Sequence, residues 1–276
     1  MIKMHPLYSS SSGNMFHIET NKTDILIDIG VSYKAIIQGL KSINKDISDI
    51  NGILITHEHI DHIKGISLLC RKNDIPIYAC GDTATYLEDY LSEQNIKSRI
   101  IRVEYNVPFK ILDFEITPFE TSHDAVAPCG YDIYTNGKHV AYATDLGIIT
   151  DDITSHFKNC DFAILEANYD KTMLEFGAYP FNTKRRIAGI KGHLSNEDSG
   201  KLIASMYNYN SKNYILSHMS ENNNNIEMAK QSINCILEEQ GISLEDISIN
   251  FASKNLSSEE YTICLLYTSD AADDKA

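Results

Sequence analysis

Short apolar runs rich in Ile, Val, Tyr and Phe, bounded by Gly, Asn or Asp, alternate along this chain with stretches whose apolar residues fall at helical spacing. Residues 1–19 predict a strand, a tight polar turn around Ser9-Ser10-Ser11-Ser12-Gly13-Asn14, and a second strand from Met15. Residues 24–30 predict a strand ending in Asp28, and residues 32–40 a helix. Gly52-Ile53-Leu54-Ile55-Thr56 is the clearest buried strand, and residues 63–69 after it read as helical. Strands follow over residues 75–80, 100–103 and 110–119, with a helix over 82–93 capped by Asp82 or Thr83. Asn136-Gly137 between residues 129–134 and 139–144 is a hairpin signal. Residues 161–166 form a further strand, and residues 171–191 hold one helix. Ser195 caps a helix running to about Tyr207, with Asp198 in its first turn. Residues 214–217 are a strand, Asn222 to Asn225 a solvated cap for a helix over 226–240, and residues 247–252 a last strand. Strands alternating with helices imply α/β sheets with helices outside, and no repeat period is present.

Composition sets bounds on this picture. The chain has 276 residues, 43% of them hydrophobic, enough for one large domain or two small ones; we read residues 1–263 as one. No apolar run approaches the roughly 20 residues of a membrane span, and the N-terminus lacks a signal-peptide apolar core, so a cytoplasmic protein without membrane contact is expected. Cys70, Cys80, Cys129, Cys160, Cys235 and Cys264 are scattered, which suits small buried side chains in a reducing compartment rather than a disulfide framework. The formal net charge of −14 argues against nucleic-acid binding, which draws on phosphate contacts. Lys184-Arg185-Arg186 and Lys191 are a local exception.

The chemistry concentrates in Thr56-His57-Glu58-His59-Ile60-Asp61-His62, directly after the clearest strand. His57 and His59 lie two apart on an extended segment and so share a side. Two neutral imidazoles suit one borderline-soft ion such as Zn. Asp61 and His62 begin the turn and can diverge toward a second ion. The alternative is a polar turn with hydrogen-bonded histidines.

This motif resembles the signature of the metallo-β-lactamase fold superfamily. Further segments are similar to its YycJ/WalJ group, related to RNase Z and RNase J: Leu7-Tyr8-Ser9-Ser10-Ser11-Ser12-Gly13-Asn14, Thr121-Ser122-His123-Asp124, Ala143-Thr144-Asp145-Leu146-Gly147, Gly192-His193-Leu194-Ser195-Asn196-Glu197 and Leu216-Ser217-His218-Met219-Ser220. The resemblance runs in order to about Ile263. It implies an αββα sandwich, two mixed β-sheets flanked by helices. It implies a first ion held by His57, His59 and His123, a second by Asp61, His62 and His218, and Asp145 bridging them. Asp28 then orients the metal-binding loop. A hydroxide held between the ions is the nucleophile, with Asp61 and His193 as catalytic groups. Zn suits the imidazoles, and the carboxylates also tolerate Mn. His139 and His156 lack such a context and are expected to be exposed.

For function, the resemblance implies a phosphodiesterase, narrowed to a 5′→3′ DNA exonuclease, with RNA as the other polynucleotide. Only 72 residues separate Asp145 from His218, too few for the inserted domain of RNase J. Candidate phosphate or nucleic-acid contacts are Ser11, Ser12, Asn168, Lys184, Arg185, Arg186 and Ser195. For the serine loop a plain hairpin turn is the competing reading. A glyoxalase-II-like thioesterase or lactamase keeps the site but changes the bond. A regulatory partner of a cell-wall two-component system is a third reading, against which a complete ligand set argues. Residues 264–276 match nothing in the family pattern and read as foreign to the fold. Oligomeric state is not legible.

Overall fold

The structure is a computed structural model and describes residues 1–257 and 259–263. In the first half of the chain lie β1 (Ile2–Ser10), β2 (Gly13–Glu19), β3 (Asp24–Ile27), α1 (Tyr33–Ser42), β4 (Gly52–Ile55), α2 (Ile60–Ile63), α3 (Ile66–Lys72), β5 (Ile77–Cys80), α4 (Gly81–Glu93) and β6 (Ile100–Val103). The second half holds β7 (Phe109–Ile111), β8 (Phe114–Glu120), β9 (Cys129–Thr135), β10 (Lys138–Ala143), α5 (Asp151–His156), β11 (Phe162–Glu166), α6 (Lys171–Phe176), α7 (Phe181–Ile187), α8 (Asn196–Tyr207), β12 (Asn213–Ser217), α9 (Ile226–Glu239), β13 (Ser248–Phe251) and β14 (Tyr261–Ile263). They form two seven-stranded mixed sheets, ordered β14-β1-β2-β3-β4-β5-β6 and β13-β12-β11-β10-β9-β8-β7.

Each sheet is part antiparallel and part parallel. In the first, β3 to β6 are parallel. In the second, β10 to β13 are parallel, while β8 and β9 join through antiparallel pairs. Two reversals leave β8 running the same way as β10, β11 and β12, so their carboxyl ends gather along one edge. A central core joins the sheets, with Ile18, Ile25 and Leu54 from one and Phe114, Tyr131 and Ile164 from the other. Outer cores seat α1, α3 and α4 on the first sheet and α5, α8 and α9 on the second. This is the expected architecture of two mixed sheets flanked by helices.

Several local expectations are corrected. Residues 110–119 form a hairpin, because Leu112 takes a left-handed backbone (φ 51°) and Asp113 is pinned by the Thr20 and Thr23 hydroxyls. The helix after β5 starts at Gly81 with Cys80 at its N-cap, not Asp82 or Thr83; the Thr83 hydroxyl donates to Ala127 O instead. Residues 171–191 hold two helices, since Pro180 ends the intervening loop as the cap of α7. His139 is buried and His156 half-buried, because both imidazoles bond Asp132, at 2.8 and 2.6 Å. Asn223 and Asn224 are buried rather than solvated, and Asn224 donates to Ala167 O. The short β14 was not foreseen. Among the described residues the cysteines are free thiols and no helix is long and apolar enough to cross a membrane. Cys264 and the tail 264–276 lie outside the described residues.

Candidate metal centre

The ends of β3, β4, β8, β10, β11 and β12 meet in one cleft. Asp28, Asp145 and His218 follow β3, β10 and β12, and each takes a left-handed backbone, with φ of 59°, 55° and 55°. This conformation is uncommon for residues bearing a Cβ and tends to occur at functional turns. It bends the chain sharply as each strand ends. The glycine after Asp28-Ile29 serves the same packing: a Cβ on Gly30 would stand 1.5 Å from Asp61 O.

Asp28 is fully buried beneath the histidine loop. Its carboxylate accepts from Thr56 N at 2.9 Å and from the Thr56 hydroxyl at 2.9 Å, and lies 2.7 Å from His62 Nδ1. A carboxylate only accepts, so Nδ1–H donates and Nε2 is the nitrogen left to face the cleft. Glu166 does the same on the other sheet. It is fully buried at the end of β11, 2.9 Å from His218 Nδ1 and 2.7 Å from His193 Nδ1, and accepts from Leu146 N and Leu194 N. Sequence reasoning missed Glu166. The available signal was a carboxylate closing a fully buried strand.

The cleft-facing edges of the histidines converge. His59 Nδ1 and His123 Nε2 stand 3.3 Å apart, and His57, His59 and His123 form one group. His62 Nε2 and His218 Nε2 lie 3.5 and 3.4 Å from Asp61 Oδ2 and form a second. Asp145 stands between them: Oδ1 is 3.6 Å from both His123 and His218 Nε2, and Oδ2 is 3.2 Å from His62 Nε2. The structure therefore brings His57, His59, Asp61, His62, His123, Asp145 and His218 into one cluster. His193 stacks 5.4 Å from His218 at its margin.

Do these groups fit divalent ions? His57 Nε2 is buried with no hydrogen-bond partner among the described residues, an arrangement rarely left unexplained. Two nitrogens each roughly 2.0–2.1 Å from a tetrahedral ion stand about 3.3 Å apart, the His59–His123 separation. The donor set of imidazoles and carboxylates, backed by buried carboxylates on His62 and His218, matches the carboxylate–histidine–metal arrangement. The residues fit.

The electrostatics carry the same mark. Burial and the neighbouring His62 push His57 well below the usual imidazole range. Burial opposes ionisation of Asp61 and Asp145, but the facing imidazoles outweigh it and hold both carboxyls well below the usual range. His218 is pulled down by burial yet raised overall to about 10 by Asp145, Asp61 and Glu166. Glu166, against its own burial, is lowered to about 2 by His193 and His218. His193 moves up, because the Glu166 carboxylate outweighs burial.

The remaining candidates divide. Ser11 and Ser12 are exposed at the β1–β2 turn, and Ser12 Oγ donates to Glu221 at 2.6 Å. Asn168 is buried and donates to His218 O at 2.8 Å, which makes it a support for that histidine rather than a surface contact. Ser195 is fully buried and caps α8 through Asp198 N, out of reach of a substrate. Lys184 donates to Glu175 O at 2.7 Å, and Arg186 pairs with Asp124 beside His123, Nη2 to Oδ1 2.9 Å. Arg185 is exposed. The basic cluster thus borders the centre, with one of its cations tied to the loop that bears His123.

A family model described as a β-lactamase superfamily domain matches residues 23–219. Over 235 residues the chain is 37% identical to a Bacillus anthracis protein named exodeoxyribonuclease YycJ, covering 85% of this chain and 89% of that protein. It is also 37% identical over 229 residues to the Streptococcus pneumoniae exodeoxyribonuclease WalJ, covering 82% and 85%. Among solved structures, Zn(2+)-bound PqqB from Methylobacterium extorquens superposes with a TM-score of 0.71 at 14% identity, over 95% of this chain and all of that one, a likeness of fold.

Proposed function

The chain belongs to the β-lactamase superfamily, within its YycJ/WalJ group, and from that premise we propose that this metal-dependent hydrolase is a DNA nuclease working 5′→3′ with two divalent ions, Zn or Mn. One observation carries the reading: seven imidazole and carboxylate groups converge from the ends of both sheets, and His62 and His218 are each fixed by a buried carboxylate. Seven donors are more than one tetrahedral ion takes up.

His57, His59 and His123 would hold one ion and Asp61, His62 and His218 the other, with Asp145 shared. When bound, the ions supply Lewis acidity and an activated water at neutral pH. The protein's own groups do the rest. Asp28 and Glu166 fix the tautomers of His62 and His218, so each presents Nε2 to the cleft. Glu166 also accepts from His193 Nδ1 and favours the charged ring, and in that imidazolium form His193 Nε2–H can donate a proton to the departing sugar oxygen or a hydrogen bond to the phosphate. Asp61, kept ionised by His62 and His218, stays available as a ligand and as a hydrogen-bond acceptor that orients the attacking water.

A substrate panel tests the proposal: end-labelled single- and double-stranded DNA, RNA, a small phosphodiester, a glutathione thioester and a chromogenic β-lactam. DNA cleavage in the presence of Mn or Zn is expected. Thioester or lactam turnover without phosphodiester cleavage would replace the reading with hydrolysis of an acyl bond.

A further inference from the structure

The loop and helices between Asn168 and His193 expose apolar surface that the metal centre does not use. Phe176, Phe181 and Ile190 are 79%, 76% and 72% accessible, the three most exposed large apolar side chains among the described residues. Large exposed apolar groups gathered in one segment mark interaction surfaces. Phe181, Lys184 and Arg185 stand at i, i+3 and i+4, so they share one face of α7, with Ala188 at its C-cap. Phe181, Lys184 and Ala188 line a hollow of about 640 Å³ whose other walls hold Tyr169 and Leu174 together with Lys171, Glu175 and Asp198.

The hollow is tied to the metal centre at both ends. Tyr169 follows Asn168, which holds His218, and bridges to Ser195, two residues after His193. On the far side of α7, Arg186 pairs with Asp124 next to His123, and Lys191 borders a second hollow of about 540 Å³ shared with His123. The combination is specific: an aromatic ring open to solvent, cations one turn along the same helix face, and a path of a few residues to the reacting centre. A polynucleotide strand offers both a π-face for Phe181 and negative charge for the exposed Arg185.

We propose that the α6–α7 hollow seats an unpaired nucleobase of the substrate strand, stacked on Phe181, with Arg185 against a flanking phosphate. The substrate is then a strand unpaired where it meets this face, bound without preference for sequence, because every base has a ring to stack. The inference rests on the nuclease reading above.

Phe181→Ala and Phe181→Trp are compared with wild type on single-stranded oligothymidine and on bis(p-nitrophenyl) phosphate, a diester with no flanking nucleotide to stack. Phe181→Ala should lower the ratio of oligonucleotide to small-diester kcat/KM about ten-fold or more, mainly through KM, and Phe181→Trp should restore it. An unchanged ratio overturns the proposal, as does a concentration-dependent dimer of wild type that Phe181→Ala dissociates. If wild type cleaves neither substrate, the nuclease reading fails on its own. Fluorescence anisotropy of labelled oligothymidine then decides the inference: weaker binding by Phe181→Ala upholds it, and equal or absent binding overturns it.

Discussion

Asp28 and Glu166 touch no substrate, yet each decides which nitrogen of a histidine faces the cleft. Asp28→Asn can offer an N–H where His62 Nδ1–H needs an acceptor, so the ring loses its fixed tautomer. We expect this variant to fold and to bind metal about 10- to 100-fold more weakly, as read by isothermal titration; wild-type affinity would mean that the pair is structural only. His193→Ala should keep its metal and melting temperature while kcat falls by about two orders of magnitude. Loss of metal would make His193 a ligand, and full activity would remove it from the chemistry. At this scale the sequence was informative where residues cluster along the chain. His57 to His62 announced themselves by spacing. Glu166 did not, because its partners His193 and His218 lie 27 and 52 residues away. His139 and His156 misled differently: Asp132 faces His139 across the predicted hairpin but holds both rings inside only because α5 packs His156 against the same carboxylate.

Between elements, the fit of β3 against the histidine loop is the tightest constraint. Gly30 N donates to Asn14 O at 2.8 Å, and a methyl group there would strike the backbone of Asp61. Gly30→Ala should therefore destabilise the fold by about 3 kcal/mol or more, measured by urea unfolding; a change below about 0.5 kcal/mol would show that the loop yields easily. The buried pairing of Asp132 with His139 and His156 ties β9, β10 and α5 together. Burial raises the Asp132 pKa, but the two imidazoles outweigh it and the net direction is down. A carboxyl lowered in the folded state stabilises above its unfolded pKa of about 3.9, and that stabilisation is lost as pH falls through the lower folded value. The stability gap between wild type and Asp132→Asn should thus be largest near neutral pH and shrink below about pH 4; a gap independent of pH would contradict this. Most strands were legible as apolar runs with Gly or Asn punctuation. The β7–β8 hairpin was not, because its turn is fixed by Thr20 and Thr23 from a distant segment and carries no Gly or Pro of its own.

For the whole molecule, two half-parallel sheets place carboxyl ends of strands from both halves on one edge, and the cleft needs both. The fold class could be reached from the sequence because strand and helix alternate and the motif sits at a strand end. The division between the sheets could not, since nothing in the local pattern marks β7 as the start of a new one. Residues 264–276 we propose to be dispensable: a chain ended at Ile263 retains β14 on β1 and should keep its melting temperature and activity. A loss of several kcal/mol on truncation would show the tail to be docked. The central claim is a cluster that acts with two ions on DNA. Its most direct test is to strip the protein with a chelator, titrate Mn back and follow cleavage of 5′-labelled DNA against bound metal. The account predicts that activity rises with loading and levels off at about two ions per chain, releasing the labelled 5′ end first. A plateau at one ion, or no DNA cleavage at any loading, would contradict it.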